Sequence, residues 1–216
     1  MRSRSARTAA TAALALALAS LSLVPVGTPV LSAPRTVDYL AGLGALMGRA
    51  IGRGDESGQA AALPQDYADA LGWERLGRLA AEARARMPPP ARVVVYGESY
   101  GHAGALEVYG PRYGLTDAVY RFHESGRLRS PEGFGGVVDC FVYVNGDLGA
   151  DVAAAFEEVA LLGHIDDSLA REYGAGVWLC ARPRGDFDER WAAARAGATG
   201  WGDRARCAPV SRPPRL

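Results

Sequence analysis

Lysine is missing from the 216 residues: the 24 basic side chains are all arginine, and 24 acidic residues balance them to a formal net charge of zero. A balanced chain with no basic run has no electrostatic footprint for nucleic acid, which argues against nucleic acid as a partner. Cysteine is scarce as well. Cys140, Cys180 and Cys207 form an odd set with no C-x-x-C spacing and no His–Cys cluster, which argues against structural zinc. An exported chain can join two of three thiols, but Cys140 and Cys180 both lie in strand-like runs, so buried free thiols are an equally good reading. No internal repeat is present. The one glycine-rich turn fits neither Walker A nor the dinucleotide fingerprint, so no cofactor is expected.

Charge is also missing from one long stretch. Arg2, Arg4 and Arg7 precede an uncharged run from Thr8 to Pro34 with the apolar core TAALALALASLSLV. A spanning helix needs on the order of 20 apolar residues, and arginines ahead of it favour a cytoplasmic N-terminus with the remainder extracytoplasmic. A cleaved signal is the alternative. Its best small-residue site, Leu31-Ser32-Ala33, is followed by Pro34, a poor residue to cleave before. The reading is therefore a single-pass anchor over residues 1–33 in the cell membrane.

After it come a helical segment over 34–90, an α/β domain over 91–196 and a mobile tail over 197–216. The helical segment divides into an amphipathic run Arg35–Gly54, a polar loop Gly52–Gln59 and a firmer helix Tyr67–Arg86 ended by three prolines. In the α/β domain, strands are expected at Val93–Val95, within Asp117–Phe122, at Val137–Val144 and at Ala175–Ala181, with helices at Asp151–Leu162 and Asp186–Arg195. Ser125–Gly136 reads as loop. A helix between the last two strands suggests parallel crossovers, so the expected fold is a small, mostly parallel sheet with flanking helices.

The chain is organised around Arg92–Leu115, RVVVYGESYGHAGALEVYGPRYGL. A β-branched run passes into a turn with Gly97, Gly101 and Gly104, then into a short helix stopped by Gly110-Pro111. Such a junction places polar side chains at the carboxyl end of a strand, where α/β proteins bind ligands. Gly97-Glu98-Ser99-Tyr100-Gly101 satisfies the G-x-S-x-G nucleophile elbow, and Asp147 and His164 follow in the order a small exported serine hydrolase requires. The elbow lacks the preceding strands and oxyanion loop of that fold. As a phosphate cradle the turn is poorer, because Glu98 puts a carboxylate where the anion would sit.

The same residues resemble the extracytoplasmic C-terminal region of bacterial family-39, protein-mannosyltransferase-like membrane glycosyltransferases. Ser99-Tyr100-Gly101-His102-Ala103-Gly104-Ala105 lies over the family's N-Y-G-E-A-G-A segment, followed by Tyr109-Gly110-Pro111-Arg112-Tyr113-Gly114-Leu115. Leu63–Asp69, Gly72-Trp73-Glu74 and Val177–Arg182 extend the likeness over most of residues 25–195. His102 replaces the family glutamate. His123 keeps the place of the histidine in G-H-N-S-Y-W-L-W-G, but Gly126, Arg127 and Arg129 stand where that tract carries aromatics.

The resemblance implies an accessory domain without catalytic residues of its own, the chemistry residing on a many-helix membrane portion. Its implied partners are the membrane, a multi-spanning glycosyltransferase, and a glycan or lipid-linked sugar. The ligand-binding candidates are Glu98, Tyr100, His102, Arg112 and His123. Each also has an ordinary structural reading: Arg112 as a surface ion pair, His102 as a packed or capping residue, and His123 beside Glu124 as a solvated loop histidine. His164 with Asp166 and Asp167 is a fragment of a metal site lacking a third ligand, and no metal is expected. Trp73 and Trp191 read as packing residues.

Overall fold

A computed structural model describes residues 2–47, 62–123 and 125–197. Contacts divide the chain into two compact units, Met1–Leu71 and Gly72–Leu216.

The first unit is helical: α1 (Arg2–Ser22), α2 (Val24–Gly27), α3 (Ala33–Met47) and α4 (Gln65–Ala68). The segment Arg7–Gly27 is long and apolar enough to cross a membrane, and every residue from Arg7 to Val24 is exposed. Leu14, Leu16, Leu18 and Leu21 are among its exposed side chains. The Tyr39 hydroxyl donates to the Ser22 carbonyl, and that of Tyr67 to the Pro25 carbonyl at 2.9 Å. The amphipathic run expected over Arg35–Gly54 is helical through Met47; its remainder, the Gly52–Gln59 loop and nearly all of the tail lie outside the described residues.

The second unit opens with α5 (Trp73–Ala85) and β1 (Val93–Gly97), then α6 (Tyr100–Tyr109), a 3-10 turn at Gly110–Tyr113, β2 (Val119–Tyr120) and α7 (Gly126–Arg129). It closes with β3 (Cys140–Asn145), α8 (Ala150–Ala155), β4 (Phe156–His164), β5 (Gly176–Pro183) and α9 (Phe187–Ala196). The helix expected over Tyr67–Arg86 is thus two helices. Gly72, in the left-handed region at φ 88°, breaks it, a conformation that costs glycine nothing. The region expected as loop over Ser125–Gly136 contains the single turn α7.

The five strands form one sheet in the order β2-β1-β3-β5-β4. β2, β1 and β3 are mutually parallel, whereas β5 is antiparallel to both β3 and β4. The fold is α/β as expected, but the longer ladders are antiparallel and the sheet is mixed. The difference originates at Asp151–Leu162. Spacing of Val152, Ala155, Phe156 and Val159 suits a helix, yet the helix ends at Ala155 and Phe156 begins a nine-residue strand. Pairing along β5 satisfies the backbone groups on one side of Phe156–His164, and this tertiary partner overrides a weak local preference. The chain then reverses into β5, so no parallel crossover forms there.

Register assigns the faces. Val94, Tyr96, Phe141, Tyr143, Trp178 and Cys180 share one side, which packs on α9 through Phe187 and Trp191. Trp191 lies 4.6 Å from Phe122 and 4.9 Å from Phe134 between ring centroids, and its indole donates to the Pro131 carbonyl at 2.8 Å. Val95, Cys140, Val142, Val144 and Val177 share the opposite side, where α5 approaches with Leu79 against Gly163. Cys140 and Cys180 are both buried free thiols on adjacent strands, and burial pushes them up to about 11 and about 12.

Candidate functional site at the carboxyl ends of β1 and β3

β1 hands over to α6 through a turn with no spare space. A Cβ on Gly97 would lie 2.4 Å from the Ala103 amide nitrogen, so only glycine lets the helix begin that close to the strand end. Ser99 caps α6: its Oγ accepts from the His102 amide at 3.0 Å. The Glu98 amide donates to the Val144 carbonyl at 2.9 Å, which fixes Glu98 at the joint end of β1 and β3.

Glu98 is the centre of a polar group on the aromatic side of the sheet. Tyr143 donates to its Oε2 at 2.9 Å, and Asn145 donates to the Tyr143 hydroxyl at 2.9 Å. The Asn145 side chain is itself held by the Gly146 amide at 2.8 Å. His123 Nε2 stands 3.6 Å from Glu98 Oε1, with its ring 61% exposed. Burial pushes the Glu98 carboxyl up from 4.5 to about 7; the Tyr143 hydrogen bond opposes the rise and the Asp151 charge adds to it. Burial and the Glu98 charge raise the phenols of Tyr96 and Tyr143. Near neutrality Glu98 therefore occupies both protonation states beside a solvent-facing imidazole.

The remaining candidates fall elsewhere. His102 is buried, and its Nε2 lies 3.2 Å from Glu172 Oε2; this hydrogen bond holds the Glu172 carboxyl below its usual range despite burial. The His102 Nδ1 is buried with no hydrogen-bond partner among the described residues. Tyr100 is 68% exposed at the start of α6. Arg112 sits past the other end of that ten-residue helix, about 15 Å along its axis. There it lies 3.6 Å from Glu74 and over the Tyr109 ring at 5.0 Å, with Tyr113 donating to the same Glu74 at 3.0 Å. The structure thus joins Glu98 to His123 and separates Arg112 from both.

Ser99, Asp147 and His164 do not form a triad. The Ser99 hydroxyl serves the helix cap, and His164 closes β4, three strands from β1, a backbone separation of about 14 Å. The aspartates near His164 are engaged locally: Asp166 pairs with Arg75 at 3.1 Å, and Asp167 accepts the Leu169 amide at 2.9 Å. Among the described residues no group of three His, Cys, Asp or Glu side chains is placed to hold a metal ion. Glu124, paired with His123 in the sequence reading, lies outside the described residues.

Sequence reasoning passed over Tyr143, Asn145, Asp151 and Glu172. The first two carried a usable signal, being polar residues on one strand side at the carboxyl end of β3, whereas nothing local tied Glu172 to His102. Comparison with family models, curated proteins and solved structures finds no match for the chain.

Proposed function

We propose that this chain is a membrane-anchored extracytoplasmic accessory domain of the family-39 glycosyltransferase type, without catalytic machinery of its own, which binds saccharide hydroxyls at Glu98. The observation that carries this reading is the Glu98 group itself. A half-titrated carboxyl, a phenol, an amide and an exposed imidazole converge at a strand end, and such a set both donates to and accepts from neutral hydroxyls. The exposed Tyr100 ring supplies a flat apolar face nearby. A carboxyl that ionises near neutrality disfavours an anion, so the sugar rather than a lipid phosphate is the moiety bound here. Three arginines ahead of one apolar helix support an anchor with its N-terminus in the cytoplasm. A multi-spanning transferase sharing that membrane is the partner this arrangement suits.

The test is saturation-transfer NMR on the full chain in a polyoxyethylene detergent, with the methyl glycosides of mannose, glucose and galactose. At least one glycoside should receive saturation, and Glu98→Ala and His123→Ala should each reduce the transfer several-fold. Absence of transfer from all three sugars to a folded chain would sink the reading.

A further inference from the structure

A second site lies at the β2 edge of the sheet, outside the Glu98 group. A cavity of about 550 Å³ opens between α6, β2 and α7, a volume that suits a small organic ligand. Its apolar walls include Leu106, Leu115, Val119 and Tyr120. Its charges are unequally matched. Glu107 is held by Arg129 at 3.1 Å, and Asp117 is held by Arg84 through two contacts of 2.9 and 3.0 Å. Arg121 forms no ion pair with a described residue, and its Nε is buried without a hydrogen-bond partner among them.

Arg121 is placed there by a specific accommodation. A Cβ on Gly126 would lie 2.1 Å from Arg121 Cγ and 2.6 Å from its Nε, so the arginine stem occupies the space that any other residue at 126 would fill. The Arg121 carbonyl accepts from Ser130 at 3.0 Å, which ties the same residue to the end of α7. With Glu107 and Asp117 already paired to Arg129 and Arg84, the unpaired Arg121 guanidinium in this wall selects an anion.

We infer that this cavity binds a phosphate ester carrying an apolar substituent, its phosphate on Arg121 and its substituent against Leu115 and Tyr120. The Arg121 guanidinium and the N–H groups of Arg129 left over by Glu107 offer more donors than the two oxygens of a carboxylate use. Water-soluble phosphate esters and the headgroups of anionic lipids share this chemistry.

Phenyl phosphate is the probe, titrated calorimetrically into the full chain in polyoxyethylene detergent, with benzoate alongside. The expected result is saturable binding of phenyl phosphate, weaker binding of benzoate, and at least a tenfold loss of phenyl phosphate affinity in Arg121→Gln. Gly126→Ala displaces the Arg121 stem and should cause a similar loss; Glu98→Gln should leave binding unchanged, which separates this site from the saccharide reading. Thermal melting of each variant confirms folding. Competition from phosphatidylglycerol vesicles, but not phosphatidylcholine vesicles, would assign the ester to lipid, and no competition would assign it to a soluble ester. No binding to the folded wild type, retention of affinity in folded Arg121→Gln, or benzoate binding as tightly as phenyl phosphate would each overturn the inference.

Discussion

Glu98 couples the site to stability through its proton. An unfolded chain releases that proton near 4.5, whereas the folded chain holds it to about 7, so folding takes up a proton between those values. The stabilisation linked to it is complete below the unfolded value and is lost as pH rises through the folded one. A shift of this size corresponds to roughly 3 kcal/mol at pH 8 relative to acid. Glu98→Gln keeps an acceptor for Tyr143 and removes the titration. Thermal melts at pH 5 and pH 8 should therefore show the variant gaining on the wild type at the higher pH, and equal slopes in both proteins would contradict this. Glu98 and His123 were both visible in the sequence as polar residues flanking strands. Their 3.6 Å approach was not, because it depends on β2 pairing beside β1.

At the scale of elements, the β1–α6 junction rests on two glycines that a sequence does not tell apart. Gly97 abuts backbone, since its Cβ would meet the Ala103 nitrogen at 2.4 Å, while a Cβ on Gly104 would meet nothing within 4 Å. Gly97→Ala should destabilise by about 3 kcal/mol or more, as overpacking against an immovable backbone does. Gly104→Ala, inside a helix with open space, should stabilise by about 0.5–1 kcal/mol. Urea denaturation of the pair checks both signs, and a neutral Gly97→Ala would refute the geometry. The β-branched run of β1, the apolar run of β3 and the helix α9 were legible because their signals are local. β4 was not, because Phe156–His164 becomes a strand only when β5 supplies the facing ladder. Gly72 was equally silent: its role as a break shows only in its left-handed backbone.

For the molecule as a whole, the run Arg7–Gly27 is long and apolar enough to cross a membrane, and it is the feature that the proposed anchor rests on. Fractionation of cells making the full chain should place it in the membrane pellet, resistant to carbonate extraction, and deletion of residues 2–27 should move it to the supernatant. A full chain recovered as a soluble species would remove the anchor from the account. The α/β class was legible from alternating runs. The mixed sheet was not, since strand direction depends on how the connections turn. That sheet has one more consequence, for chemistry rather than shape. Cys140 lies beside Ala181, and Cys180 beside Phe141, so the two thiols are neighbours across a ladder whose side chains point to opposite faces. Sulfurs on opposite faces cannot meet at bonding distance without rebuilding the strands. Oxidation therefore cannot join these two residues, and reduction has no bond between them to remove. Between these two residues the covalent structure is the same under reducing and under oxidising conditions.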